Sequence, residues 1–234
     1  MHRFSCSENF GVSKSISLPS DQAQHLIKVL RLKQGDRVEL VNGRGQLALA
    51  SVSEIQGKRC LLTVERVETS GTPSRIRICF GVPKAAAADF LIRRTAELGV
   101  ESFQPLVTAH SLHPDHFNEE RWTRVIAEVS KQCQQVHFPV LLPLKNFSGW
   151  LSDRDTSRPI VLCDEALRTA QDHVPTDASG YDLLIGAEGG WSREEIDSVA
   201  SQKPVKLGLG ANRLRAETAA LVATALLKKA VGEI

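Results

Sequence analysis

Arg213, Arg215 and Glu217 fall within five residues of one another, immediately before an alanine-rich apolar run. An arginine and a carboxylate at a helix start can simply complement the helix dipole and pair with each other. They can also handle charge on a ligand, and Gly210 just upstream, where backbone can approach a ligand closely, favours that reading. A second glycine-bearing stretch, Gly186-Ala187-Glu188-Gly189-Gly190, follows the apolar run Leu183–Ile185. It is not G-x-G-x-x-G, has no P-loop lysine, and carries a glutamate that would repel phosphate, so a nucleotide phosphate is a poor fit. Alone, this stretch reads equally well as a turn followed by a helix start. A third, Asp164-Glu165, follows the apolar run Ile160–Cys163. In open parallel sheets ligands bind beyond the carboxyl ends of the strands, which is where all three would lie.

Other candidates carry less. His110, His113 and His116 are spaced by three around Pro114. No cysteine or second cluster supports them as ligands, and no metal is expected. His25 borders an apolar stripe and reads as a capped or partly buried side chain. Trp122 reads as core rather than a stacking platform.

These residues need elements to hold them. Ser20 and Asp21 can cap a short helix, in which Ala23, Leu26, Ile27 and Leu30 form a buried stripe. Lys33-Gln34-Gly35-Asp36 ends it. Strand-like runs follow at Val38–Val41, Leu47–Val52 and Cys60–Val67, separated by the hairpin-type turns Asn42-Gly43 and Gly57-Lys58. Together they predict a small antiparallel barrel with one helix. The stretch from Glu68 to Ser74 has linker composition, which places a domain boundary between residues 70 and 71. Beyond it the rhythm is strand, helix, strand. Ile76–Val82, Phe103–Val107, Ile160–Cys163, Leu183–Ile185 and Val205–Leu209 read as strands. Helices are expected from Ala85 to Leu98, along a face bearing Trp122, Val125, Ile126, Val129 and Cys133, after a Ser192/Glu195 capping box, and from Glu217 to Ala230. Continuous apolar strands alternating with helices predict an α/β domain with a parallel sheet covered on both faces.

Composition bounds the setting. The 234 residues suffice for one large or two modest domains. Five scattered cysteines without a C-x-x-C pair argue against a disulfide framework and fit a reducing cytosol. The start of the chain does not read as a signal peptide, and no apolar run is long enough for a membrane span. A net charge of +2 does not demand a polyanionic partner. Basic residues nevertheless outnumber acidic ones from Lys28 to Arg66, so a local basic surface and a solvated barrel face both remain open.

At the two glycine loops the sequence resembles a known family. Ile185-Gly186-Ala187-Glu188-Gly189-Gly190-Trp191-Ser192 is similar to the I-G-P-E-G-G-F/L-S signature of the RsmE-type 16S ribosomal RNA uracil-N3 methyltransferases, of the SPOUT class. Leu209-Gly210 followed by Leu214-Arg215-Ala216-Glu217-Thr218-Ala219 is similar to that family's L-G-x-x-I-L-R-x-E-T-A signature. Arg3-Phe4, His25-Leu26 with Val29-Leu30-Arg31, and Glu97-Leu98-Gly99-Val100 extend the resemblance over nearly the whole chain.

The resemblance implies a PUA-like β-barrel over residues 1–70 and a SPOUT α/β domain with a C-terminal trefoil knot over 71–234. It also implies a cytoplasmic homodimer acting on small-subunit ribosomal RNA. S-adenosyl-L-methionine would lie among the three loops, against Leu162, Gly186, Glu188, Gly189, Gly190, Leu209, Gly210, Leu214, Arg215, Thr218 and Ala219. Arg215 would be the catalytic cation, with Glu217 either orienting it or acting as base. Arg3, Lys28 and Arg31 would hold RNA phosphates. The chain departs from the family at Ala109-His110, at Lys131-Gln132-Cys133-Gln134-Gln135, at Arg94 and at Asn212. Those departures leave open methylation of another RNA nucleotide, or a catalytically weak RNA-binding homologue.

Overall fold

The computed structural model describes residues 1–69, 71–114, 117–167, 169 and 172–234. The chain forms two compact units, Met1–Pro73 with Ser130–Phe138, and Ser74–Val129 with Pro139–Ile234. Ser70, where the sequence placed the boundary, lies outside the described residues, as does His116 of the histidine triplet.

In the first unit β1 (Arg3–Ser5), β2 (Ser15–Ser17), β3 (Arg37–Val41), β4 (Gln46–Gln56) and β5 (Arg59–Thr69) form one sheet in the order β1-β3-β4-β5-β2. Every ladder is antiparallel except β1 with β3, which is parallel, so the expected purely antiparallel pattern is corrected at that edge. Gly57, at φ +59°, supplies the first residue of the two-residue β4–β5 turn. The expected helix is α1 (Ser20–Gln24) continued by a π-helical turn over His25–Val29. Its N-cap is Pro19 rather than Ser20 or Asp21, and no side chain caps it. Leu26 and Ala23 are buried with Phe4, Leu40 and Leu62 in one core. The segment Ser130–Phe138 joins this unit through backbone: Gly45 N–H donates to Val136 O at 2.8 Å and Phe138 N–H to Gly43 O at 2.9 Å.

The second unit is built on a seven-stranded sheet, ordered β12-β10-β11-β6-β7-β8 with β9 also on β7. Its strands are β6 (Ile76–Gly81), β7 (Ser102–Val107), β8 (Val140–Leu141), β9 (Lys145–Asn146), β10 (Ile160–Cys163), β11 (Tyr181–Ile185) and β12 (Val205–Lys206). All these ladders are parallel. Strand alternation explains the two cores. Ile76, Ile78 and Phe80 face α2 (Ala85–Glu97), α3 (Glu119–Gln132) and α6 (Ala216–Ala230). Cys79, Leu162 and Leu184 face α4 (Phe147–Asp153) and α5 (Arg193–Ala200).

Helix ends follow the sequence cues. Gly99 stops α2 at φ +66°. Ser192 Oγ accepts from Glu195 N–H at 3.2 Å while Glu195 Oε2 accepts from Ser192 N–H at 2.8 Å, completing the capping box of α5. Two expectations are corrected. Cys133 is exposed beyond the end of α3 instead of lying on its buried face. The run Val205–Leu209 pairs only as far as Lys206, because its ladder with β10 spans just Val161 and Leu162. Among the described residues no helix is long and apolar enough to cross a membrane.

Near the end of the chain, Glu233 ties α6 to the entry of β6. It accepts from Ser74 Oγ (2.7 Å), Arg75 N–H (2.9 Å) and Lys228 Nζ (2.8 Å). Burial pushes its carboxyl up, but the bonds from Lys228, Arg75 and Ser74 outweigh burial and leave it below the ordinary value of 4.5. A carboxyl lowered on folding stabilises fully above its unfolded value and loses that contribution as pH falls through its folded value. Stability should therefore drop below about pH 4.5, and Glu233→Gln should remove that part of the slope in urea unfolding across an acid pH series.

Candidate active site

The carboxyl ends of β10 and β11 open onto a cavity of about 660 Å³, within the usual range of small-molecule sites. Four stretches wall it: Cys163-Asp164-Glu165 after β10, Ile185–Trp191 after β11, Leu209–Glu217 leading into α6, and Lys84 with Ala86 and Ala87 at the start of α2. The three loops singled out from sequence are thus brought together.

Each loop is shaped by its own chemistry. In the β11 loop Gly190 N–H donates to Ala187 O at 2.8 Å, closing a tight turn with Gly190 at φ +71°. A Cβ on Gly186 would sit 2.9 Å from the Gly190 backbone, so that glycine is required by the loop's own packing. A Cβ on Gly190 or Gly210 would meet open space, but φ is +71° and +101°, which L side chains rarely adopt. Glu188 Oε1 accepts the Lys84 N–H at 2.9 Å, so it secures the β11 loop to the start of α2. Arg213 pairs with Glu165 at 3.1 Å and joins the first loop to the third.

Arg215 stands at the N-cap of α6 and is exposed, and Glu217 lies in the first turn. Among the described residues no hydrogen bond or ion pair joins their side chains, so the surface-pair reading of these two is corrected. The Arg215 guanidinium is left available on the cavity wall. Cys163 also lines the cavity, but burial first, then the neighbouring Asp164 charge, pushes its thiol up to about 12. It is a neutral apolar wall, not a nucleophile. The lining carries four carboxylates (Asp164, Glu165, Glu188, Glu217) against three cations (Lys84, Arg213, Arg215), which suits a ligand of small positive charge better than a polyphosphate.

Comparison with known proteins settles the family. The family described as "RNA methyltransferase domain" matches residues 70–228, well over half of the chain. The chain belongs to that RNA methyltransferase family. A second family, described as "RNA methyltransferase PUA domain", matches residues 18–65. This RNA methyltransferase is 28% identical over 222 residues to the "Ribosomal RNA small subunit methyltransferase E" of Rickettsia conorii, covering 92% of this chain and 90% of the relative. It is 26% identical over 224 residues to the Bacillus subtilis protein of the same name, covering 89% and 88%. In fold it is similar to the Neisseria gonorrhoeae protein of that name, crystallised bound to S-adenosyl methionine, with a TM-score of 0.87, 22% identity and coverage of 98% and 97%.

Most residues expected at the RNA methyltransferase's donor site line the cavity: Gly186, Glu188, Gly189 and Gly190 from one loop, Leu209, Gly210, Leu214 and Arg215 from another, and Ala219 with Glu217 from α6. Leu162 and Thr218 are not among the lining residues. Leu162 points into the α4/α5 core, and its carbonyl is taken by Leu207 N–H at 3.1 Å. Sequence reasoning passed over Lys84, Ala86 and Ala87. Their signal was that β6, like β10 and β11, ends at this rim, but only the strand order makes β6 the neighbour of β11.

The three RNA candidates separate in the first unit. Arg3 is mostly buried, donating from Nε to Glu39 Oε2 at 2.9 Å and from Nη1 to the Gln134 carbonyl, which fits a structural role. Lys28 and Arg31 are exposed on and just after the π-helical turn, and Arg31 holds φ +55°. No ion pair engages either among the described residues. Among the described residues no group of three or more histidine, cysteine or carboxylate side chains is placed to hold a metal ion.

Proposed function

We propose that this RNA methyltransferase transfers the methyl group of S-adenosyl-L-methionine to N3 of a uridine in 16S ribosomal RNA, acting as a cytoplasmic homodimer. Residues 1–70 form its RNA-binding domain, and residues 71–234 its SPOUT catalytic domain with the chain knotted at the donor site. The observation that carries the reading is the strand-end cavity, in a domain of an RNA methyltransferase family, walled by both signature loops. The names of the Rickettsia and Bacillus relatives support the small-subunit target, and the ligand of the Neisseria protein supports the donor.

The residues present fit that donor. Backbone at Gly190 and Gly210 lies open to a ligand at positive φ, the volume suits a molecule of its size, and the slight excess of carboxylates suits its net positive charge. When bound, the donor supplies an electrophilic methyl group on a sulfonium. The protein's part is to hold the acceptor nitrogen in line with that methyl. Arg215 adds a cation that stabilises charge developing on the uracil carbonyl oxygens. The target nucleotide must be single-stranded or flipped out to reach the cavity. Lys28 and Arg31 contact phosphates and set position without reading bases.

Nucleoside analysis of small-subunit RNA from cells lacking the gene, with and without its restoration, tests this. A 3-methyluridine that vanishes and returns is expected. An unchanged nucleoside profile, or loss of a different modified nucleoside, overturns the assignment of the target.

A further inference from the structure

His110 packs over Gly189 and Gly190 of the β11 loop, two of the residues that wall the cavity. It sits on the turn after β7, which is pinned on three sides. Ser111 Oγ accepts from Thr108 N–H at 2.9 Å and donates to Thr108 O at 3.0 Å. Ala109 N–H donates to Glu195 Oε1 at 2.9 Å, and Leu112 N–H to Val82 O at 2.9 Å. The side chain lies over the β11 loop: a Cβ on Gly189 would come within 2.7 Å of His110 Cβ, so glycine there makes room for it. His110 Nδ1 lies 3.4 Å from Gly190 O, at the long end of hydrogen-bonding range. A carbonyl can only accept, so a hydrogen bond here requires the proton of the neutral ring on Nδ1, which would leave Nε2 with its lone pair. Nε2 has no partner among the described residues, and the side chain is exposed.

We propose that His110 is the general base of the methyl transfer, taking the N3 proton of the uracil on Nε2. The inference rests on the function proposed above and names the base that reading leaves open. The step balances. The N3–H proton passes to Nε2, giving an imidazolium with both nitrogens protonated. The freed N3 lone pair forms the N–CH3 bond as the carbon–sulfur bond breaks, and that electron pair stays on sulfur as a neutral thioether. The imidazolium then returns its proton to water. Gly190 O accepts Nδ1–H throughout and stabilises the imidazolium as it forms. The glycine loop that walls the donor cavity therefore also sets the tautomer of the base.

The test has two parts, both on the full-length protein. Nitrogen-15 NMR of the ligand-free protein should show the neutral His110 ring as the Nδ1–H tautomer; an Nε2–H tautomer overturns the proposal. Single-turnover transfer to small-subunit RNA is then followed from about pH 5 to pH 8 for wild type, His110→Gln and His110→Ala. The wild-type rate should rise with pH and then level off, as for any reaction whose base must be unprotonated to act. Both variants should lose on the order of a hundredfold and the levelling limb, with S-adenosylmethionine affinity by calorimetry kept within severalfold. Added imidazole should restore part of the His110→Ala rate.

Near-normal rates in both variants, or loss of donor affinity in both, overturn the proposal, the latter making His110 a support for the loop. Loss of the limb in Glu217→Gln with His110→Gln unaffected also overturns it. Absence of any transfer by wild type is the distinct failure, that of the methyltransferase reading itself.

Discussion

Replacing Arg215 with alanine is expected to cut single-turnover methylation on the order of a hundredfold or more while leaving S-adenosylmethionine affinity within severalfold. The side chain sits at the N-cap of α6, on the wall of the strand-end cavity, exposed and outside any ion pair among the described residues. A cation so placed has little to stabilise in the resting protein. Under the proposed function its effect is confined to the charge that develops on the uracil ring as the N3 proton leaves, a contribution to rate rather than to binding. Arg215→Lys should recover only part of the loss, because an ammonium lacks the planar fork that can span a ring carbonyl. Melting temperature should barely move, since an exposed, unpaired arginine contributes little to stability. A near-normal single-turnover rate in Arg215→Ala would remove it from the reaction.

At the opposite end of the same strands, Asp182→Ala is expected to cost about 3–5 kcal/mol of stability. Asp182 is fully buried on β11. Arg77 donates to both of its oxygens at 2.9 Å, and Arg158 and Arg154 approach at 3.2 and 3.4 Å. Arg158 also reaches Glu101 at 2.5 Å. Among the described residues, removing the one carboxylate leaves three guanidinium groups gathered around a strand with only Glu101 opposing them. The cost is that of buried charge left uncompensated, not of the lost attraction alone. It is a large share of the roughly 5–15 kcal/mol that holds a typical domain together. Urea unfolding measures it. A loss under about 1 kcal/mol would show that the cluster is solvated like a surface pair.

Much of this architecture is legible in the sequence wherever an element is long enough to show a period. Ile160–Cys163 and the helix from Ala85 emerge almost residue for residue, and Ser192 with Glu195 marks the start of α5 through a local bond the two side chains must make. The misses have a common cause. Arg3–Ser5, Ser15–Ser17, Val140–Leu141 and Lys145–Asn146 are too short to display alternation and exist only because a neighbouring strand offers free backbone. Cys133 fits the apolar stripe of α3, but the helix ends one residue earlier and Gln134 turns to φ +55°. The backbone clasp of Val136 and Phe138 onto Gly43 and Gly45 is a long-range pairing that no local pattern encodes.

The site divides in the same way. A glycine loop after an apolar run carries its own signal, so Gly186, Gly190 and Gly210 could be named in advance. His110 could not be placed, because its local spacing with His113 and His116 points to no site, while its actual neighbour is Gly190, eighty residues away. A trefoil knot is expected from the family resemblance alone: periodicity carries no information about threading, and general topology argues against it.

The central claim, that the strand-end cavity holds S-adenosylmethionine, is tested most directly by calorimetric titration of that ligand into wild type, Gly190→Val and Gly210→Val. Wild type should bind one molecule per chain, with S-adenosylhomocysteine competing. The two variants force a β-branched side chain onto φ +71° and φ +101° at the cavity wall and should lose binding while circular dichroism shows them folded. Absence of binding by wild type, or unchanged affinity in both folded variants, would contradict the account.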